Sequence, residues 1–332
     1  MIVKSNSYYK NFVREMWDEI FNEDSQKFRD FYFKRKYSHN NTFIYLNDST
    51  PVSSLQNLDY DFLFDGKSYK ISYISGACTL KSYRGNGYMN ELLKETFREN
   101  YKENKVFSSL IPASESLFNY YERFGYKTSS YIKKYACKNN SFSNENDFEI
   151  INDFYNFKFI YNKNISDCSI YLNEKNLEDY FEFMKNENGL AICKGIDLAI
   201  AFKRENDYFI DFSSFDDEIL KNILDKNFEI VKSEFFSPIG MIRITNINIF
   251  LEMIKKYIRE NLLIEIYDDI ISENNCIFKK ENNKIVFENR KISEKKYKIS
   301  VDKLLFNFLN GISDKAFNFN TKQNIKMYMM MN

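Results

Sequence analysis

The chain reads as an α+β protein built from successive segments. Apolar spacing switches repeatedly between the helical period of about 3.6 and the strand period of about 2. Turn residues such as Asp65-Gly66 separate strand-like runs, the pattern of antiparallel hairpins. The order of helix, strands, helix, strand then comes twice, up to about residue 138 and again to about residue 240. A length of 332 residues holds two or three domains and a sizeable core.

Residues 8 to 34 predict helix, with Phe12, Met16, Ile20 and Phe21 at helical spacing and a break between Asn22 and Ser25. TFIYLND, PVSSLQNLDYDFLFDG and KSYKISYISGACTL predict strands, the last two joined at Asp65-Gly66. A helix is expected from Asn86 to about Asn100. VFSSLIP then predicts a buried strand, SESLFNYYERFG a helix and YKTSSYIKKYAC a strand. The polar residues 138 to 149, KNNSFSNENDFE, predict a linker. Beyond it LEDYFEFMKNEN predicts a helix, and LAICKG, DLAIAFKR and YFIDFSS predict strands. The helix DDEILKNILDKN and a further strand close that segment. A third segment opens near GMIRITNINIFLEMIKKYIREN. It continues as the short strands LLIEIYDD, NCIFKKENN, KIVFENRK and YKISV, with a turn at residues 281 to 283, and ends in the helix DKLLFNFLNG.

Composition narrows the chemistry. Lys plus Arg equals Asp plus Glu, 47 each, so no net charge draws the chain to nucleic acid or to a membrane surface. The 33 Phe and 25 Tyr, with abundant Asn, Lys and Ile, read as the codon bias of an AT-rich genome. Cys78, Cys137, Cys168, Cys193 and Cys276 are odd in number and form no C-x-x-C pair, so neither a disulfide frame nor a zinc site is expected. No signal-peptide pattern and no apolar run of about 18 residues is seen, and a cytoplasmic protein is expected. The one histidine, His39, lies in the polar run YSHNNT. Two-histidine metal sites are thereby excluded, and acid-base work falls to a tyrosine, a carboxylate or a chain terminus.

The stretch YISGACTLKSYRGNGYMNELL, residues 73 to 93, carries the strongest chemical signal. A glycine-rich turn between a strand and a helix N-terminus presents backbone N–H groups to an anion. Gly85 and Gly87 let a phosphate approach the backbone, and Arg84 adds a charged donor. The spacing is neither that of a nucleotide-cleaving P-loop nor that of a dinucleotide fold.

The same residues resemble the coenzyme-A motif of the GNAT superfamily of N-acetyltransferases, a strand, then [Q/R]-x-x-G-x-[G/A], then a helix. Arg84 and Gly87 match, and Met89 stands where Gly or Ala is usual. Some thirty residues on, LIPASESLFNYYERFGYK resembles the superfamily's second signature. Within the superfamily the chain looks like the Eis-like branch, named for a mycobacterial enhanced-intracellular-survival protein. That resemblance implies an acetyl-CoA-binding GNAT domain at residues 1–138, a degenerate GNAT-like domain at 139–240 and a sterol-carrier-protein-like domain with a tail at 241–332. No Arg-x-x-Gly element occurs in the second segment, which fits loss of cofactor binding there.

The resemblance also implies a site. Two strands splay apart to admit the pantetheine arm. Backbone groups of Ala77, Cys78 and Thr79 hold that arm, and Ser114 lies near it. The turn of Arg84, Gly85, Asn86, Gly87, Tyr88, Met89 and Asn90 holds the pyrophosphate. Tyr121 donates a proton to the departing thiolate, with Tyr120 as a packing partner. The C-terminal carboxylate, here Asn332, is the base, although the aromatic residue that usually ends the chain is absent. Cys78, in an apolar strand, reads as a buried small residue and not as a nucleophile. The implied reaction is direct acetyl transfer to a primary amine of an aminoglycoside or polyamine-like molecule, without metal, in a homo-oligomer that the branch makes hexameric. Acetylation of a protein or peptide lysine, or a non-catalytic acyl-CoA sensor, are the alternatives.

Overall fold

A computed structural model describes residues 1–132, 135–137, 148–204, 207–216, 219, 228–229, 237–288 and 296–327. The chain forms two compact units, residues 1–130 with 240–325 and residues 131–239 with 326–332.

The first unit begins with β1 (Ile2–Lys4), α1 (Lys10–Ile20) and α2 (Gln26–Arg35). The expected break between the helices is present. Ser25 caps α2, its hydroxyl accepting from the Phe28 N–H at 3.0 Å. The buried stripe of α1 runs through Val13, Met16 and Trp17, while Phe12 is 37% exposed. The stripe is turned because Trp17 lies over Gly76, where a Cβ would come within 2.1 Å of its ring.

Next come β2 (Thr42–Asn47), β3 (Thr50–Phe64) and β4 (Lys67–Thr79), all antiparallel neighbours. Asp65 and Gly66 turn β3 into β4 with φ of 52° and 70°, as a type I′ turn requires. α3 (Tyr88–Lys102) leads to β5 (Phe107–Leu110), then α4 (Glu115–Glu122) and β6 (Lys127–Ile132). Leu92, Leu93, Thr96, Phe97 and Asn100 make one buried face of α3. β5 lies parallel to β4, as a crossover through a helix produces.

The second unit contains β7 (Tyr135–Cys137), β8 (Glu149–Ile150), α5 (Phe154–Asn164), β9 (Ser169–Tyr171) and α6 (Glu174–Asn186). β10 (Gly189–Lys194), β11 (Asp197–Arg204), β12 (Asp207–Ser213) and β13 (Phe228–Glu229) follow. Its sheet runs β13-β7-β12-β11-β10-β8. The helix expected over DDEILKNILDKN falls mostly outside the described residues. α5 was not expected; Asp153 caps it through the Asn156 N–H at 2.9 Å.

The remaining elements are β14 (Ser237–Ile244), α7 (Ile247–Met253), β15 (Ile264–Tyr267), β16 (Cys276–Glu281), β17 (Lys284–Phe287), β18 (Tyr297–Ser300), α8 (Val301–Asn310) and β19 (Lys326–Met327). β15 to β18 form a small sheet, with Asn282 and Asn283 at positive φ in the expected turn. β14 completes the sheet of the first unit, whose order is β1-β2-β3-β4-β5-β14-β6. Its Arg243, 2% exposed, pairs with Asp268 at 2.8 Å and lies 4.7 Å from the Phe97 ring centroid. Asp268 also accepts from the Ile270 and Ile271 N–H groups and from Asn274. A buried pair is tolerated when further hydrogen bonds support it; these serve the carboxylate, while Arg243 Nε has no partner among the described residues. Among the described residues no helix is long and apolar enough to cross a membrane.

Candidate active site

Two departures from regular pairing shape β4. Opposite β3 the register steps from Ser54↔Cys78 to Gln56↔Ser75, which leaves a bulge at Gly76-Ala77. Gly76 has φ +57° there. Opposite β5 the parallel pairing ends at Tyr73↔Ser109, whereas β5 still pairs with β14 through Leu110↔Met241. The two central strands therefore part beyond Tyr73, beside the bulge.

The expected strand residues have different surroundings. Ala77 packs against the core cluster of the first unit. Cys78 is buried with Sγ 3.4 Å from the Ser54 hydroxyl, and burial pushes its thiol up to about 11. A thiol held protonated is not a nucleophile at neutral pH. Thr79 shares a 2.8 Å hydrogen bond with Ser53, and its carbonyl accepts from Arg84 Nε at 3.3 Å.

After the short 3-10 turn Lys81–Tyr83, the chain enters α3 through Gly85 and Gly87, both at positive φ of 84° and 78°. Among the described residues nothing would meet a Cβ on Gly85, and only Asn90 Nδ2, at 3.9 Å, would meet one on Gly87. Backbone conformation, rather than crowding, thus demands both glycines, and the space above them is open. Gly87 caps α3 without a side-chain acceptor, so the first N–H groups of the helix remain available to an anion. Arg84, Gly85 and Asn86 are exposed, and Asn86 steadies the turn by donating to the Tyr83 carbonyl at 3.0 Å. These residues fit a pyrophosphate: open space, unused donors and an exposed guanidinium.

Three residues of the turn have side chains engaged elsewhere. Tyr88 donates to Asn47 Oδ1 at 3.1 Å and stacks on Tyr45 at 4.5 Å. Met89 turns into the core cluster, so a residue larger than Gly or Ala leaves the anion side clear. Asn90 accepts from the Tyr120 hydroxyl at 2.8 Å.

Ser114 caps α4 by position, is exposed, and lies 3.0 Å from the Ser116 hydroxyl. Tyr121 is 8% exposed in the same core cluster as Ile74 of β4 and Leu110 of β5, the residues that flank the opening. Its hydroxyl makes no hydrogen bond to a described residue. Burial, and secondarily Tyr120, raise its pKa well above the usual phenol range. Asn332 lies outside the described residues.

Sequence reasoning missed several neighbours. Tyr73 is buried and reaches the Ile111 backbone, and its pKa is raised by burial and by Tyr60, Tyr32 and Tyr121. Tyr32 donates to Ser75 at 2.8 Å. Trp17 covers the bulge. The signal for Trp17 was the conjunction of the chain's one tryptophan with a glycine inside a strand.

Residues 5–129 match the family model described as Acetyltransferase (GNAT) domain. No curated protein matches by sequence. Among solved structures, a GCN5-related N-acetyltransferase from Anabaena variabilis superposes with TM-score 0.71 at 14% identity, covering 98% of each chain. Eis1 from Mycobacterium abscessus superposes with TM-score 0.68 at 10% identity, covering 94% of this chain and 90% of its own. A probable N-acyltransferase from Enterococcus faecalis gives 0.68 at 14%, covering 93% and 89%. At such identities the likeness is one of fold. Residues 5–129 are an acetyltransferase (GNAT) domain, and the protein that carries it is an acetyl-CoA-dependent acyltransferase.

Proposed function

We propose that the protein transfers the acetyl group of acetyl-CoA directly to a primary amine of a small molecule, of aminoglycoside or polyamine-like class. The observation that carries this reading is Tyr121: a buried phenol, without a hydrogen bond to a described residue, in the core cluster that holds Ile74 of β4 and Leu110 of β5. Acetyl-CoA supplies an activated thioester. Arg84 and the N–H groups at the start of α3 bind its pyrophosphate, and the β4 residues Ala77 to Thr79 guide its arm. The neutral amine attacks the thioester carbonyl, the C–S bond breaks, and the Tyr121 proton goes to the sulfur. A raised pKa keeps Tyr121 protonated at neutral pH, as a donor requires. The proton lost by the amine goes to the C-terminal carboxylate of Asn332.

The same reading assigns the chain to the Eis-like branch, with a degenerate second domain, a sterol-carrier-protein-like third segment and a hexameric assembly. Light scattering that gives only a monomer across micromolar concentrations contradicts the assembly. A thiol-release assay against an amine panel, with a lysine peptide included, tests the function. Turnover with a small polyamine or aminoglycoside supports it. Turnover with the peptide alone moves the acceptor class, and tight CoA binding without any turnover leaves a sensor.

A further inference from the structure

Asn90 faces two ways. Its Oδ1 accepts from the Tyr120 hydroxyl at 2.8 Å, and its Nδ2 lies 3.9 Å from the Cβ position of Gly87 in the anion turn. An amide whose oxygen is engaged directs its two N–H donors the other way. Here that way is toward the turn, and the amide nitrogen has no described partner. Tyr120 is itself held. Its ring lies 5.0 Å from the Arg123 guanidinium, and burial pushes its hydroxyl up to about 12, so it stays a donor. Its chain neighbour is Tyr121, with ring centroids 5.1 Å apart. On the other flank of α3, Tyr88 is tied to Asn47 and Tyr45, so the first turn of the helix cannot simply follow α4.

We propose that Tyr120 is a positioning residue: through Asn90 it joins the phosphate turn to α4, so that an anion in the turn orders the helix that carries the proton donor. This rests on the reading that the turn takes the cofactor's pyrophosphate and that Tyr121 is the donor. Coupling of this kind is reciprocal, and a single hydrogen bond limits its size.

Adenosine 5′-diphosphate separates the coupling from direct contact, because it has the pyrophosphate but no pantetheine arm to touch α4. Hydrogen exchange is followed on the full chain with saturating, millimolar nucleotide. In the wild type, amides of residues 84–90 slow on binding, and amides of residues 118–123 slow by about threefold to tenfold, the range of one hydrogen bond. Tyr120→Phe keeps the first response and loses the second. Asn90→Asp, which retains an oxygen acceptor, keeps the second response even though its charge weakens nucleotide binding. An undiminished α4 response in Tyr120→Phe overturns the proposal, as does a silent α4 in a wild type whose turn is protected. If neither region responds, the turn is no pyrophosphate site, and the proposal falls with the reading beneath it. If the coupling holds but Tyr121→Phe turns over normally, only the donor assignment fails.

Discussion

The two units contain strands in similar sequence order, yet their central strand pairs differ. In the first, β4 leads through a helix to a parallel β5 that leaves it after Tyr73. In the second, β11 and β12 are successive antiparallel strands paired from Ala199↔Ser213 to Arg204↔Asp207. Both pairs contain an irregularity, β3–β4 near Gly76 and β11–β12 between Ile200 and Ala201. A bulge is therefore common to both units. Among the described residues, what distinguishes the first unit is a strand whose parallel pairing ends at Tyr73 and a helix that starts soon after that strand without a side-chain cap. Their buried tyrosines differ in the same sense. Tyr180 spends its hydroxyl on Asp211 at 2.6 Å, whereas that of Tyr121 meets no partner among the described residues.

The largest expected effect separates the units outright. Arg84→Ala with Gly87→Val removes the guanidinium and forces a β-branched residue into φ +78°. Calorimetry should then detect no CoA binding, while Lys203→Ala in β11 changes nothing; normal affinity in the double variant removes the cofactor site from this turn.

Deleting the last few residues, or amidating the terminus, should lower kcat by about 10²–10⁴-fold if the Asn332 carboxylate is the base. Combined with Tyr121→Phe the losses should be less than additive, since both groups serve one transfer. A truncated protein of full activity places the base elsewhere.

Gly76→Ala tests the bulge. Its Cβ would overlap the Trp17 ring, and overpacking of this kind costs about 1–3 kcal/mol. Thermal unfolding should shift down by several degrees, and an unchanged midpoint means that Trp17 does not brace β4. The smallest effect concerns Cys78. With its pKa pushed up to about 11, the thiol is protonated below that pH, and alkylation at pH 8 should leave it largely unmodified by mass spectrometry.

Much of this was legible locally. Asp65-Gly66, Asn282-Asn283 and the glycines at 85 and 87 specify their own backbone conformations, and each lies where its residue type predicts. α3 was legible because one stripe of it is apolar. α5 was not, because Phe and Tyr occur all around it, with Phe157 buried and Tyr155 80% exposed. Pairings made at long range left no local signal. Met241 meets Leu110 across the chain, Trp17 meets Gly76, and Tyr120 meets Asn90. The glycine turn could be read because its residues are contiguous, whereas the braces around it are assembled only by folding.

Tyr121→Phe against Tyr180→Phe, assayed with the best amine of the panel, tests the central claim most directly. Loss of the Tyr121 hydroxyl should lower kcat by about 10²–10⁴-fold with the acetyl-CoA KM nearly unchanged. Loss of the Tyr180 hydroxyl should cost about 1 kcal/mol of stability and leave kcat alone. Because the Tyr121 pKa is raised, the wild-type rate should show no fall from phenol ionisation up to about pH 10, the ordinary phenol value. Near-normal turnover by Tyr121→Phe would contradict the assignment of the proton donor.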